Sequence, residues 1–182
     1  LEDMKVPCYK IAAYEAMDFV LLRKVAQTGK PVIISFGYSS EAEIAFALDT
    51  LRSNGAKDIV ALHCVTGYSD QPEWEDMNLR NIQDLRERFN VISGFSDNNA
   101  GIEIPVMAAA AGASVIEKHL ILDRESGGPD ARFSLEPAEL QEMISRIRAF
   151  EVSKEKMAIP DSALGRVYYG PISPIEEYNK RW

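Results

Sequence analysis

The feature that most constrains this chain is an alternation. Short apolar runs rich in Val, Ile and Phe recur at intervals of roughly 22 to 31 residues, each pair separated by a segment with helical patterning. The runs are Cys8 to Ala13, Pro31 to Phe36, Asp58 to Val65, Val91 to Phe95 and Ser114 to His119. Between them, helices are predicted from Asp18 (N-cap) to Gln27 with Gly29 as the stop, and from Ser40, whose partner Glu43 completes a capping-box spacing, to Asn54-Gly55. A third runs from Asn78 to Arg88 with Leu79, Ile82, Leu85 and Phe89 along one face, and a fourth covers the alanine-rich stretch Pro105 to Gly112. A last helix opens at Pro137 and ends near Phe150. Each helix returns the chain to the starting end of the sheet, so the runs pair in parallel. Glycine-rich dinucleotide and Walker patterns are absent, which weakens the open nucleotide-binding sheet against the (β/α)8 barrel. A barrel needs eight units and Leu1 enters almost directly on a strand, so the expectation is a barrel fragment whose first three strands are missing.

Composition narrows the class of partner. The 182 residues suffice for one ordinary domain, and 46% hydrophobic with 26% charged residues is a globular composition. No apolar run reaches membrane-spanning length, and Leu1 to Lys10 is too polar for a leader, which predicts a cytoplasmic protein. Cys8 and Cys64 lie in apolar runs and read as buried reduced thiols. A formal net charge of -8 without a basic patch argues against nucleic acid and anionic membranes, but not against a small anionic substrate.

The polar ends of the runs carry the candidate chemistry. Lys10, Ser35, Thr66, Ser96 and His119 come from five successive units, and their convergence on one rim makes a cationic, hydroxyl-rich pocket suited to a phosphorylated or carboxylated small molecule. Asn98 follows Ser96 on the fourth run, which places Ser96, Asn98 and His119 side by side. Plainer accounts compete: Asn98 and Asn99 serving a turn, His119 a satisfied strand-end histidine, Lys10 snorkelling. Glu117 shares a strand face with His119, either as its partner or as a charge paired within the barrel. Trp74 is a sugar platform or, more simply, part of a loop anchored on the barrel end, and Asp123, Arg124 and Glu125 read as a solvated loop.

Seven stretches follow one another along the chain: Tyr9-Lys-Ile-Ala12, Pro31-Val-Ile-Ile-Ser35 with Gly37, Leu62-His-Cys-Val65 with Tyr68, Asp76-Met-Asn-Leu-Arg80, Gly94-Phe-Ser-Asp97 with Gly101, Gly112-Ala-Ser-Val-Ile-Glu-Lys-His119, and Gly128-Pro-Asp130 with Phe133-Ser-Leu-Glu-Pro137. In this order they resemble the sialic acid (N-acetylneuraminate) synthases, with the related nonulosonate synthases and spore-coat polysaccharide proteins. The resemblance implies a TIM barrel of which residues 1–151 supply strands four to eight, with 152–182, including Tyr168 and Tyr169, a linker towards a small antifreeze-like domain. It implies condensation of phosphoenolpyruvate with an N-acetylhexosamine such as N-acetylmannosamine, giving a nine-carbon 2-keto acid and phosphate, in surface polysaccharide biosynthesis by a homodimer. Lys10, Ser35, Thr66 and Ser96 would hold phosphoenolpyruvate, Tyr68 and Asp130 would contact the sugar and serve catalysis, and His119 would ligate a divalent metal, Mn2+ or Mg2+, that polarises the sugar aldehyde.

Departures from the family pattern accompany this. Asn98 stands where the second metal histidine is expected and Asn99 where threonine is; Ala13, Phe36 and Ser69 replace serine, threonine and proline. The missing strands would carry a glutamate, an asparagine-histidine pair and a lysine. The enzymatic reading therefore competes with a non-catalytic relative that keeps the barrel and phosphoenolpyruvate binding. An amide oxygen at residue 98 predicts a weakened metal site that leans towards harder cations.

Overall fold

The computed structural model describes residues 1–68 and 73–156. Five strands, β1 (Tyr9–Ile11), β2 (Val32–Phe36), β3 (Ile59–Val65), β4 (Ile92–Asp97) and β5 (Val115–Lys118), form one sheet in the order β1-β2-β3-β4-β5. Every neighbouring pair is parallel. The connections carry α1 (Phe19–Ala26), α2 (Glu41–Ser53), α3 (Arg80–Phe89) and α4 (Glu103–Ala110), and α5 (Pro137–Lys156) follows β5. Sequential order in an all-parallel sheet is the arrangement of a half-barrel, not of a doubly wound sheet whose strand order reverses.

Local chemistry sets the helix ends. The Asp18 carboxylate accepts from the backbone amides of Val20 and Leu21 and starts α1. Ser40 and Glu43 form the reciprocal capping box of α2, with the Ser40 amide donating to the Glu43 carboxylate at 2.7 Å. Asn78 takes a left-handed φ of 44°, so α3 starts at Arg80, two residues later than predicted. Conversely, α4 begins at Glu103, before Pro105, because a first turn has free amides and tolerates proline there.

Side chains alternate across the sheet. On the helix-facing side, Val32, Ile34 and Ala61 pack with Leu22, Val25, Leu48, Leu51 and Leu85, while Phe95 packs with Ile82, Ile104, Ala108 and Met77. Each fully buried aliphatic or aromatic side chain there is worth about 1.5–3 kcal/mol. The other face carries Lys10, Ser35, Cys64, Ser96 and Glu117, as the strand registers Lys10↔Ile33, Ser35↔Leu62, Cys64↔Ser96 and Ser96↔Glu117 require. Gly94 lies on this inner face, where a Cβ would sit 2.3 Å from the Val115 carbonyl oxygen and 2.6 Å from Leu62 Cδ2. Only glycine allows that approach.

The loops at the carboxyl ends of the strands are tied down by particular side chains. Trp74 is 54% exposed on a 3-10 turn, and it is Met77 that is buried and anchors the loop, its carbonyl bonded to His63 Nε2 at 2.8 Å. Arg124 does not belong to a solvated loop: it bonds the Ser134 carbonyl and the carboxylate of Glu139, and lies 3.8 Å from that of Glu136, tying the loop to the start of α5. The chain's contacts divide it after Ser145 into two units. The helix α5 extends to Lys156, while the predicted linker beyond it, with Tyr168 and Tyr169, and the Ser69 position lie outside the described residues.

Candidate active site

Two polar clusters occupy the carboxyl ends of the strands. The first joins four strands through one cation. Lys10 Nζ donates to Ser35 Oγ at 2.9 Å and lies 3.0 Å from Glu117 Oε1, which also accepts from Ser96 Oγ at 2.7 Å. Lys10, Ser35 and Ser96 are thus brought together as the strand periodicity required. Glu117 is the member whose role the sequence left open, and it is the charge paired inside the barrel. The pocket is therefore not simply cationic: the lysine carries its own counter-ion, which an incoming anion would have to displace or share.

The second cluster lies one step further along β4 and β5. Asn98 follows β4 and His119 follows β5, with Asn98 Oδ1 3.3 Å from His119 Nε2. The amide orientation is fixed by its nitrogen, which donates to Cys64 Sγ at 3.3 Å and to the Val65 carbonyl at 3.2 Å. His119 Nδ1 lies 3.8 Å from Asp130 Oδ2, and its ring packs edge-on against Phe133 with centroids 5.1 Å apart. Tyr68 closes the group, with ring centroids 5.6 Å from Phe133 and 6.2 Å from His119. Asp130 reaches the site because the chain after β5 is pinned back: Leu135 donates to the His119 carbonyl and accepts from the Ile121 amide, each at 2.9 Å.

Thr66 sits apart from both clusters. Its methyl lies against Gly37 and its hydroxyl bonds Tyr38, which together with the bond to Tyr14 holds the Tyr38 phenol below its ordinary range. The Tyr14 and Tyr38 hydroxyls are 2.7 Å apart, and that bond pushes Tyr14 up to about 12. Burial raises the Tyr68 phenol and the Cys64 thiol above their usual values. Cys64 belongs to the floor of the site, which its apolar run concealed: the neighbours that count are three strands' worth of polar groups on the face it shares.

The donor set fits a divalent cation. Two ligands at the usual 2.0–2.2 Å and adjacent positions on one ion are separated by about 3 Å, close to the Asn98 Oδ1 to His119 Nε2 distance. The Asp130 carboxylate on the far imidazole nitrogen would hold the ring's tautomer, as carboxylates commonly do behind a ligating histidine. Among the described residues no three His, Cys, Asp or Glu side chains converge as a metal site, so further positions would fall to water or substrate.

A parallel α/β half-barrel with polar residues gathered at its strand ends defines a barrel protein with a small-molecule rim. The chain belongs to the NeuB family, whose model matches residues 1–158. It is 39% identical over 153 residues to the N,N'-diacetyllegionaminic acid synthase of Campylobacter jejuni, covering 83% of this chain and 45% of that protein. The structure of the N-acetylneuraminic acid synthetase of Leptospira borgpetersenii, in complex with citrate, superposes with a TM-score of 0.78 at 33% identity, covering 100% of this chain and 59% of that one. The spore coat polysaccharide biosynthesis protein of Bacillus subtilis gives a TM-score of 0.81 at 32% identity, covering 99% and 51%. The chain spans about half the length of the curated relatives it matches, 48% and 45% of two of them. Among the described residues no helix is long and apolar enough to cross a membrane.

Proposed function

We propose that the full-length protein condenses phosphoenolpyruvate with an N-acetylated hexosamine, the five strands here being strands four to eight of its barrel. In the balanced reaction the methylene carbon of phosphoenolpyruvate bonds to the sugar's aldehyde carbon, water adds at the phosphate-bearing carbon, and phosphate leaves as a 2-keto sugar acid forms. The observation that carries the reading is the Lys10, Ser35, Ser96 and Glu117 cluster beside the Asn98, His119 and Asp130 cluster. One supplies an ammonium and two hydroxyls to an anion; the other faces the place where an aldehyde would lie. Lys10 holds the phosphate or carboxylate, Ser35 and Ser96 fix its orientation by hydrogen bonds, and Thr66 with its tyrosine partners lines the rim above. Tyr68 and Phe133 form one wall against the sugar, and the exposed carboxylate of Asp130 is placed to accept a hydroxyl or to hold the His119 ring.

His119 Nε2 and Asn98 Oδ1 would hold a divalent cation, Mn2+ or Mg2+. When bound it supplies Lewis-acid polarisation of the sugar aldehyde. The substitution of an amide for the family's second histidine favours a second reading, a non-catalytic relative that retains phosphoenolpyruvate binding. Incubation of the full-length protein with phosphoenolpyruvate and a panel of N-acetylated sugars separates the two. Phosphate released only in the presence of a sugar supports the synthase. No phosphate with any sugar, while phosphoenolpyruvate still binds, establishes the non-catalytic relative.

A further inference from the structure

We infer that Asp97 and Lys118, an ion pair buried on the helix-facing side of the sheet, are positioning residues that set the Asn98 and His119 donors on the opposite side; the inference rests on the metal reading above. Asp97 and Lys118 are cross-strand partners in the β4–β5 register. They are also the residues immediately before Asn98 and His119, so each half of the pair is one peptide bond away from a donor residue. Lys118 Nζ lies 2.7 Å from Asp97 Oδ2, and the side chains of the lysine and the aspartate are 3% and 0% exposed.

The contacts straddle residue 98. Lys118 Nζ bonds the Asp97 carboxylate on one side and the Asn99 carbonyl on the other. The second Asp97 oxygen accepts from the Asn99 amide at 3.2 Å and from Asn99 Nδ2 at 2.9 Å, closing the turn that carries Asn98. Asn99 also leans on Met77 Sδ at 3.6 Å, under the loop anchored by His63. Residue 98 is therefore held before and after in the chain by one lysine, while its own amide nitrogen is held from the inner side by Cys64 and Val65. That leaves Oδ1 turned to His119 Nε2, its partner at 3.3 Å.

Stability does not account for the choice of charges. A buried ion pair can usually be exchanged for apolar or uncharged groups of like shape without net loss, because desolvation offsets the attraction. Geometry does account for it: donors on two different strands must keep their separation to a fraction of an ångström, and a short, charge-assisted bond between the residues next to them fixes that separation. Asn99, which looked like a turn residue, belongs to this clamp.

The test uses the full-length protein and Mn2+ alone, with free Mn2+ read by its electron paramagnetic resonance signal and folding by thermal melting. The double variant Asp97→Asn, Lys118→Met removes both charges yet leaves an oxygen at residue 97 for Asn99. It is expected to melt within a few degrees of the wild type and to bind Mn2+ at least about tenfold more weakly, the scale of ligand-supporting substitutions. Should that variant fail to fold, Asp97→Asn with Lys118→Gln, which also removes both charges but keeps a donor at residue 118 for the Asn99 carbonyl, is expected to show the same split with smaller amplitude. Unchanged Mn2+ affinity in a folded variant, or a loss of affinity that merely follows a loss of stability, overturns the positioning role. Absence of Mn2+ binding by the wild type overturns the metal reading itself, and the inference with it.

Discussion

Asn98 concentrates the chemical question at the scale of single residues. Its oxygen is an uncharged donor to a metal, poorer than imidazole nitrogen for a transition ion and better suited to harder cations. Asn98→His is expected to tighten Mn2+ binding by roughly an order of magnitude or more, read by titration. Equal affinities would show that residue 98 does not face the ion. His63 makes a different, pH-linked contribution. Burial holds its imidazole below the ordinary 6.5, outweighing the bond to the Met77 carbonyl that works the other way. The unfolded chain takes up a proton near that value and the folded chain only at lower pH, so stability is complete above about pH 6.5 and declines as pH falls below it. His63→Gln should flatten this decline in urea melts taken from pH 7.5 downwards; an unchanged slope would contradict the assignment. At this scale the sequence was informative where one residue per strand end mattered, as for Lys10, Ser35, Ser96 and His119. It gave Cys64 only as a buried thiol, Asn99 only as a turn residue and Lys118 no role, because their contacts depend on which groups meet across three strands.

Among the elements, the alternation of apolar runs and capped helices was legible because each boundary has a local cause: the Asp18 carboxylate, the Ser40 and Glu43 box, the left-handed Gly29. The boundaries that moved have non-local causes. β4 continues to Asp97, past the predicted Phe95, because its last residues pair with Glu117 and Lys118, polar positions that carry no strand signal of their own. The loop that carries Trp74 is anchored as its plainer reading has it, but through Met77, which is buried beneath it while Trp74 is exposed. Gly94 is the sharpest test of the inner-face packing. A methyl at that position meets the Val115 backbone oxygen, which cannot yield without separating β4 from β5. In the full-length protein Gly94→Ala is expected to abolish soluble, cooperatively melting material; a variant that melts within a few degrees of the wild type would refute the close approach.

At the scale of the molecule, both the sequence and the structure give five parallel strands in sequential order, with β1 and β5 as open edges. The inner face includes Ile92, 54% exposed, with the polar rim at its other end. If the remainder of a barrel closes these edges, the 182-residue chain expressed by itself should self-associate or aggregate at micromolar concentration. A monodisperse monomer in light scattering would contradict that closure. The strand order was readable from spacing alone, whereas the pairing of Lys10 with Glu117 was not, because it joins the first and last strands of the sheet and only the curvature of a barrel brings them together. That pairing is also where the central claim is most exposed. Calorimetric titration of phosphoenolpyruvate into the full-length protein and its Lys10→Ala variant measures it directly. Loss of a charge-assisted contact predicts weakening by about 1.5–3 kcal/mol, roughly ten- to a hundred-and-fifty-fold in affinity. Equal affinities for the two proteins would show that the anion does not bind at the strand ends where Lys10, Ser35 and Ser96 meet.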